Sequence, residues 1–119
     1  FGKALGDESR SRGKDIILAP GINIIRSPFC GRTFEYMSED PYLTKKMATP
    51  LIKGIQEKDV AACVKHYIAN NQETKRLEVN VKMDDRTLEE IYLPAFEETL
   101  TVGDSYSVMA AYNKFNGQY

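Results

Sequence analysis

The residues of this chain best suited to bind a ligand lie around its single histidine. An apolar run over residues 60–64 ends in Lys65 and His66, and the polar stretch after it reaches Arg76. Ammonium, imidazole and guanidinium groups supply hydrogen-bond donors that match hydroxyl or carboxylate oxygens. The pattern therefore predicts a buried strand that leads into a loop, with both delivering donors to one polar ligand.

Lys65 and His66 are neighbours, and a regular strand directs adjacent side chains to opposite faces. If both serve one ligand, we expect an irregular backbone between Lys65 and Asn70, such as a bulge, an unusual dihedral angle or a cis peptide bond. The adjacent ammonium disfavours a second positive charge, so we expect a neutral imidazole with one donating and one accepting nitrogen. The alternative for a single strand histidine is a purely structural role.

Three further candidates lie at the ends of predicted strands or in the loops that follow them. Arg32 has five donors in a fixed fork that can hold vicinal hydroxyls or a carboxylate, and an ion pair with Glu35 or Glu39 is the alternative. Tyr112 combines an apolar ring with a polar tip, which suits a sugar ring, whereas Met109 is expected in the core by default. Because ligands of parallel barrels meet the carboxyl ends of the strands, we expect all six candidates at one rim.

The elements that must position these residues alternate between strands and helices. Apolar runs over residues 15–20, 60–66 and 106–111 predict three strands. Their lack of polar alternation is typical of a parallel sheet covered on both faces. Helical patterns precede the first run and separate the others, and residues 21–39 are predicted to form a long loop. This order predicts an α/β fold built from βα units.

Two prolines are predicted to disturb the helices. The central helix is expected to begin with Asp40 as its N-cap, and Pro50 predicts a kink or a division into two short helices. Its buried face is predicted from four apolar residues at four-residue spacing: Leu43, Met47, Leu51 and Ile55. In the next helical segment Asp84 or Asp85 is expected to cap the first turn, and Pro94 limits the regularity of the remaining turns.

Composition places the chain among ordinary globular domains. It has 119 residues, of which 42% are hydrophobic and 28% charged, enough for one domain with a core. A net charge of -1 gives no electrostatic footprint for nucleic acid, and no apolar run approaches the ~20 residues that span a membrane. The two cysteines lack metal-ligand spacing, and we expect neither a metal nor another cofactor. Because the chain begins at Phe1, processing or truncation is expected.

Eight stretches carry a family resemblance that covers nearly the whole chain. They are APGIN (19–23), GRTFEY (31–36), SEDP (38–41), VAACVKHYIANNQETKR (60–76), RTL (86–88), EIYLPAF (90–96), SVM (107–109) and YN (112–113). In this order and spacing the chain resembles the N-terminal barrel domain of glycoside hydrolase family 3, of the β-glucosidase and β-xylosidase type. The resemblance implies a partial (β/α)8 TIM-barrel-like fold with about three parallel strands and intervening helices. Residues 1–119 would form a middle portion of that domain, whose barrel needs about 250 residues.

The resemblance also implies an activity and a set of site residues. In similar enzymes the residues that bind or line the sugar at the cleavage subsite correspond to Arg32, Lys65, His66, Arg76, Met109 and Tyr112. These enzymes are retaining: an aspartate attacks the anomeric carbon, and a glutamate acts first as acid and then as base. Neither carboxylate, nor the family's first sugar-binding aspartate, has a counterpart here. The chain alone is therefore expected to be inactive.

The resemblance implies that the parent is a retaining β-glucosidase acting on terminal β-D-glucosyl residues. The expected partners are a β-glucoside or related oligosaccharide and the remainder of the parent enzyme, with no nucleic acid and no membrane. A β-xylosidase of the same family and a non-catalytic carbohydrate-binding or structural fragment are the alternatives. The loop after His66 lacks the second histidine of the N-acetylglucosaminidase branch, which favours the glucosidase and xylosidase branch.

Overall fold

The computed structural model describes residues 1–119 and alternates short strands with helices. The helices are α1 (Gly2–Ser11), α2 (Pro41–Gln56), α3 (Asp85–Thr87) and α4 (Pro94–Thr101). The strands are β1 (Ile16–Ile17), β2 (Ala61–Tyr67), β3 (Asn80–Val81), β4 (Ser107–Ala110) and β5 (Lys114–Phe115). A 3-10 turn covers Thr33–Glu35, and a π-helical turn, Leu88–Tyr92, joins α3 to α4. None of the helices combines the length and hydropathy that a membrane crossing requires.

The main sheet has three parallel strands in the order β1-β2-β4, so β2 lies in the centre. These are the three strands that the apolar runs predict, and the α/β fold with a parallel sheet is confirmed. The apolar runs did not predict a second sheet, in which β5 pairs in parallel with β3. The two-residue strands of this second sheet are too short to produce a sequence pattern of their own.

The core lies between the central strand and the helices. Its 13 buried apolar residues are Ile22, Ile24, Ala48, Ile52, Ile55, Val60, Ala62, Val64, Ile68, Ala69, Tyr92, Ala95 and Phe96. Helix α2 contributes three of them and packs against α1, α4 and β2. Since Ala62 and Val64 of β2 are both buried, as is Cys63 between them, this strand is covered on its two faces, as the continuous apolar run predicts.

Helix α2 begins as predicted but does not break at Pro50. The Asp40 carboxylate accepts a hydrogen bond of 2.9 Å from the backbone N–H of Tyr42, which is an N-cap interaction. The predicted division into two short helices was wrong, because one helix runs from Pro41 to Gln56 through Pro50. Pro50 lies on the exposed side, where water can satisfy the carbonyl four residues earlier, while buried residues hold the opposite side against the core.

The helical segment that precedes β4 is irregular, as Pro94 predicts. Asp84 is the N-cap, and its carboxylate accepts a hydrogen bond of 2.7 Å from the N–H of Thr87. Only one turn of α-helix is formed before the π-helical turn, and α4 restarts at Pro94, which occupies the first turn where a missing N–H costs nothing. The segment therefore forms two short helices rather than one long one.

Candidate functional site

The candidate site is built where the loop after β1 meets the end of β2. The N–H of Lys65 donates to the carbonyl of Pro20 at 3.0 Å, and the N–H of Ile22 donates to the carbonyl of Lys65 at 2.7 Å. On the other neighbouring strand, β4, Met109 is the register partner of Lys65. The carboxyl ends of these strands therefore meet at one edge of the sheet, where ligands of parallel α/β folds bind.

The expected departure from regular strand geometry at the end of β2 is confirmed. The pairing of β2 with β4 shifts register between Lys65 and Tyr67. Cis peptide bonds join Lys65 to His66 and Tyr67 to Ile68. The side chains of Lys65 and His66 contact the adjacent residues Glu35 and Tyr36, so both face the same segment of the long loop.

A single carboxylate, that of Glu35, contacts two cations of the site. Its Oε2 atom lies 3.0 Å from Nζ of Lys65, and its Oε1 atom pairs with Nε of Arg32. Burial favours the neutral acid, but the hydrogen bonds and charges of Arg32 and Lys65 outweigh it and hold the pKa of Glu35 below its usual value. The ion pair with Glu35, the alternative role for Arg32, is therefore present and orders the loop. It engages only Nε, and the two terminal nitrogens of Arg32 make no hydrogen bond within the protein.

A second carboxylate, that of Glu73, brings Arg76 to the same place. Nη1 of Arg76 donates to Oε2 of Glu73 at 2.7 Å, while Nδ2 of Asn70 donates to Oε1 at 2.9 Å. The same Oε1 lies 4.0 Å from Nε of Arg32. The guanidinium of Arg76 also sits 5.4 Å from the ring centroid of Tyr112, a cation–π distance. Glu73 thus lies between Arg32 of the long loop and Arg76 of the loop after β2, and Arg76 in turn reaches Tyr112.

His66 is buried beneath this charged group. Asn23 clamps its backbone, since Nδ2 donates to the His66 carbonyl at 2.8 Å and Oδ1 accepts from the His66 N–H at 2.9 Å. Nδ1 of the ring lies 3.2 Å from the Tyr36 hydroxyl. Burial, followed by the charges of Arg32 and Lys65, lowers the pKa of His66 to about 4. The lowered pKa agrees with the neutral imidazole expected from the adjacent ammonium, although burial is the larger cause.

Five of the six sequence-predicted residues are connected through shared neighbours. Arg32 and Lys65 meet at Glu35, Arg76 joins them through Glu73 and touches the ring of Tyr112, and His66 joins through Tyr36 and Asn70. Met109 makes no polar contact and is placed by its strand register, half-buried beside Lys65.

Sequence reasoning missed four residues that arrange this site: Asn23, Tyr36, Asn70 and Glu73. All four lie inside the stretches that carry the family resemblance, which is the only sequence signal that marks them. Glu35 was considered only as an ion-pair partner of Arg32. Its second contact, with Lys65, depends on a separation of 30 residues that local sequence cannot specify.

Two hollows of about 390 Å³ lie near the sheet edge and differ in character. One is polar and lies between the loop segments 27–31 and 71–74, with Glu73 in its wall. The other is mainly apolar, lies between β4 and the π-helical turn, and contains none of the charged residues of the site. No group of three or more His, Cys, Asp or Glu side chains is arranged to hold a metal ion.

Comparison with known proteins identifies the family to which the chain belongs. The model of the glycosyl hydrolase family 3 N terminal domain matches residues 1–119. The chain is 52% identical over 119 residues to a β-glucosidase of Bacteroides ovatus, covering 100% of this chain and 16% of that protein. It is 45% identical over 116 residues to an exo-α-(1→6)-L-arabinopyranosidase of Bifidobacterium longum, covering 98% of this chain and 15% of that protein.

A solved structure shows the same fold. β-Glucosidase 3B from Thermotoga neapolitana, in complex with glucose, superposes with a TM-score of 0.97 at 52% identity, covering 99% of this chain and 16% of that one. The parallel sheet and its helices therefore match part of a TIM-barrel-like domain. The chain spans about a sixth of the length of these relatives. With a family model matched from its first residue to its last, the chain belongs to glycoside hydrolase family 3, to whose N-terminal domain it corresponds.

Proposed function

We propose that the protein carrying these residues is a retaining β-glucosidase that releases terminal β-D-glucosyl residues, and that this part binds sugar hydroxyls at the cleavage subsite. The supporting observation is the state of the three cations. Arg32, Lys65 and Arg76 are each anchored by a carboxylate through one nitrogen. Each has further N–H groups directed to no protein acceptor, so donors stand ready for a polyhydroxylated ligand.

Anchored donors suit the chemistry of glycoside hydrolysis. The transition state resembles an oxocarbenium ion, and hydrogen bonds to the sugar hydroxyls strengthen as it forms. Donors already fixed by Glu35 and Glu73 need no reorganisation at that moment, which favours the transition state over the free substrate. The six residues of the proposed subsite are Arg32, Lys65, His66, Arg76, Met109 and Tyr112.

The carboxylates of the site are unsuited to the acid and nucleophile roles. A general acid requires a raised pKa, whereas the pKa of Glu35 is lowered by Arg32 and Lys65. These two cations also engage both oxygens of Glu35, so neither oxygen is free to attack an anomeric carbon. Glu73 is committed to Arg76 and Asn70. We therefore place the nucleophilic aspartate and the acid/base glutamate outside residues 1–119, in other parts of the parent protein. On this proposal the chain is a middle portion of the barrel domain.

A pentopyranosidase is the second candidate function. The relative from Bifidobacterium longum is an arabinopyranosidase, and the family type that the sequence resembles also includes β-xylosidases. The donors of this site address ring hydroxyls, which glucose and these pentoses share. Rates of the full-length enzyme on aryl β-glucoside, β-xyloside and α-L-arabinopyranoside decide between them, and β-glucoside is expected to be the best substrate.

Replacing Lys65 tests the proposed subsite. In the full-length enzyme, Lys65→Met removes a charged donor, and loss of one such hydrogen bond is expected to lower kcat/KM for an aryl β-glucoside by roughly 10- to 100-fold. The control is Lys82→Met, because Lys82 makes no ion pair and lies outside the proposed subsite. Equal activity of the two variants would contradict the proposal.

The chain alone tests the placement of the catalytic carboxylates. The 119-residue protein should release no aryl alcohol from an aryl β-glucoside above a buffer blank, because we assign it neither nucleophile nor acid/base. If it turned over this substrate and Lys65→Met abolished the activity, the carboxylates would have to lie within the chain. A non-catalytic carbohydrate-binding or structural fragment, the remaining alternative, predicts in addition an inactive full-length protein.

A further inference from the structure

The orientation of the Asn23 amide is fixed by the backbone of His66. A carbonyl oxygen only accepts and a backbone N–H only donates, so Nδ2 must face the His66 carbonyl and Oδ1 must face the His66 N–H. The two distances are 2.8 and 2.9 Å. Oδ1, which can only accept, also lies 3.3 Å from Nδ1 of the His66 ring. One acceptor therefore faces Nδ1.

The Tyr36 hydroxyl, in contrast, has two possible acceptors for its hydrogen. Nδ2 of Asn70 must face the Glu73 carboxylate, and it also donates to the Tyr36 oxygen at 2.8 Å. The single hydroxyl hydrogen can then point to the carbonyl of Asn70 or to Nδ1 of His66, each of which lies 3.2 Å from the Tyr36 oxygen. If Nδ1 carries a proton, the Tyr36 hydrogen turns to the Asn70 carbonyl and a Tyr36 lone pair faces Nδ1. The Tyr36 hydroxyl therefore adapts to the proton position on His66, and the fixed group beside Nδ1 is Oδ1 of Asn23.

The fixed acceptor Oδ1 of Asn23 places the proton on Nδ1, because an unprotonated Nδ1 would direct its lone pair towards another lone pair. Burial of the ring and the nearby charges of Arg32 and Lys65 disfavour a second proton, so only one nitrogen is protonated near neutral pH. Nε2 then has a free lone pair. Nε2 makes no hydrogen bond within the protein. It is not fully buried, so part of its surface is accessible to a ligand.

We propose that His66 is a hydrogen-bond acceptor for the substrate: its unprotonated Nε2 accepts from one sugar hydroxyl, whereas Arg32, Lys65 and Arg76 only donate. The identity of the ligand rests on the proposed function, but the assignment of the proton to Nδ1 does not. One position of the subsite then selects for a group that can donate. A hydroxyl fits there, and a substituent that can only accept does not.

The proton position can be measured without a ligand. Full-length enzyme labelled with 15N in histidine is compared with the His66→Gln variant, which identifies the His66 signals by their loss. In the ligand-free enzyme at pH 7 we expect one nitrogen in the protonated range and Nε2 far downfield, in the unprotonated range. A protonated Nε2, or two protonated nitrogens, would overturn the inference.

Deoxy and deoxyfluoro sugars test the direction of the hydrogen bond. Inhibition constants are measured for glucose and for its 3-, 4- and 6-deoxy and deoxyfluoro analogues, with the full-length enzyme and with His66→Ala. The hydroxyl bound by His66 is the one whose removal weakens inhibition of the parent roughly tenfold but leaves the variant unaffected. Fluorine accepts and cannot donate, so at that position the fluoro analogue should bind as weakly as the deoxy analogue.

The possible outcomes separate the two proposals. A fluoro analogue that recovers most of the lost affinity would show that His66 donates, which overturns this inference and leaves the proposed function intact. If no hydroxyl couples to His66, the sugar contact itself fails, and the proposed role of His66 falls together with this inference even when the nitrogen signals show a protonated Nδ1. If His66→Ala does not fold, the nitrogen signals of the parent enzyme still decide the proton position.

Discussion

Glu35 and Glu73 set the positions of the cations at the carboxyl ends of the strands. Three positive side chains, Arg32, Lys65 and Arg76, would repel one another if they were gathered without counter-charges. Each carboxylate lies between two of them, with Glu35 between Arg32 and Lys65 and Glu73 between Arg32 and Arg76. The group thus keeps a single net positive charge and still presents unpaired N–H groups.

His66 predicts a specific pH dependence of stability. Its pKa falls from 6.5 to about 4 in the folded protein, so between these values the unfolded state binds more protons than the folded state. Stability is therefore lost as pH falls from 6.5 towards 4, by roughly 3 kcal/mol in total. The measurement is the free energy of unfolding in urea at pH 7.5, 5.5 and 4.

The His66→Gln variant isolates this contribution. Glu35, whose pKa is lowered, also loses its stabilising charge in acid, but it does so in both proteins and cancels in the difference. The advantage of the parent over His66→Gln should therefore shrink by roughly 3 kcal/mol between pH 7.5 and 4. A difference that stays constant with pH would show that the imidazole titrates alike in the folded and unfolded states.

Residue type alone predicted the cations and the neutral histidine but not what holds them. A lysine next to a histidine is a local feature, and its electrostatic consequence can be worked out from the sequence. Asn23, by contrast, acts on His66 across 43 residues of sequence. Nothing in its neighbourhood distinguishes it from an asparagine in a turn, because its partner is brought close only by the parallel pairing of the strands.

Among the elements, α2 anchors the carboxyl end of the long loop. It begins where the loop ends, and its buried residues Ala48, Ile52 and Ile55 fix it against the core. The N-cap residue Asp40 therefore attaches the end of the loop to a helix that is held in place by core packing. The carboxylate of Asp40 satisfies a backbone N–H of the first turn that has no partner within the helix.

Removing the N-cap of α2 should destabilise the protein measurably. Asp40→Ala is expected to lower the free energy of unfolding by about 1 kcal/mol, because the N–H of Tyr42 loses its acceptor. The control is Glu39→Ala, since Glu39 is exposed, carries the same charge and makes no hydrogen bond through its side chain. Equal effects of the two substitutions, measured by urea unfolding, would mean that charge and not capping is responsible.

The periodic pattern located the elements better than it located their buried faces. Apolar runs predicted all three strands of the main sheet, although only the central strand β2 is covered on both faces. In α2, Leu43 and Met47 were expected in the core but are 45% and 48% exposed. Small residues such as Ala48 occupy the core face instead, because α1 and α4 both pack closely against this helix.

At the scale of the whole molecule, the main sheet has two open edges. Its order is β1-β2-β4, so both outer strands pair on one side only. β1 has two residues, whereas β4 has four and exposes Val108, which is 47% accessible. The apolar hollow lies beside the end of β4. An unpaired strand next to apolar surface is a template for association with another chain.

The 119-residue protein on its own is therefore expected to self-associate through β4. In sedimentation velocity its average mass should rise above 13.5 kDa as the concentration increases. Val108→Lys places a charge on the open edge and should raise the concentration needed for association by roughly tenfold. Val102→Lys is the matched control, because Val102 is similarly exposed but lies just after α4 and outside the sheet. A monomer at all concentrations, or equal effects of the two lysines, would show that the open edge does not drive association.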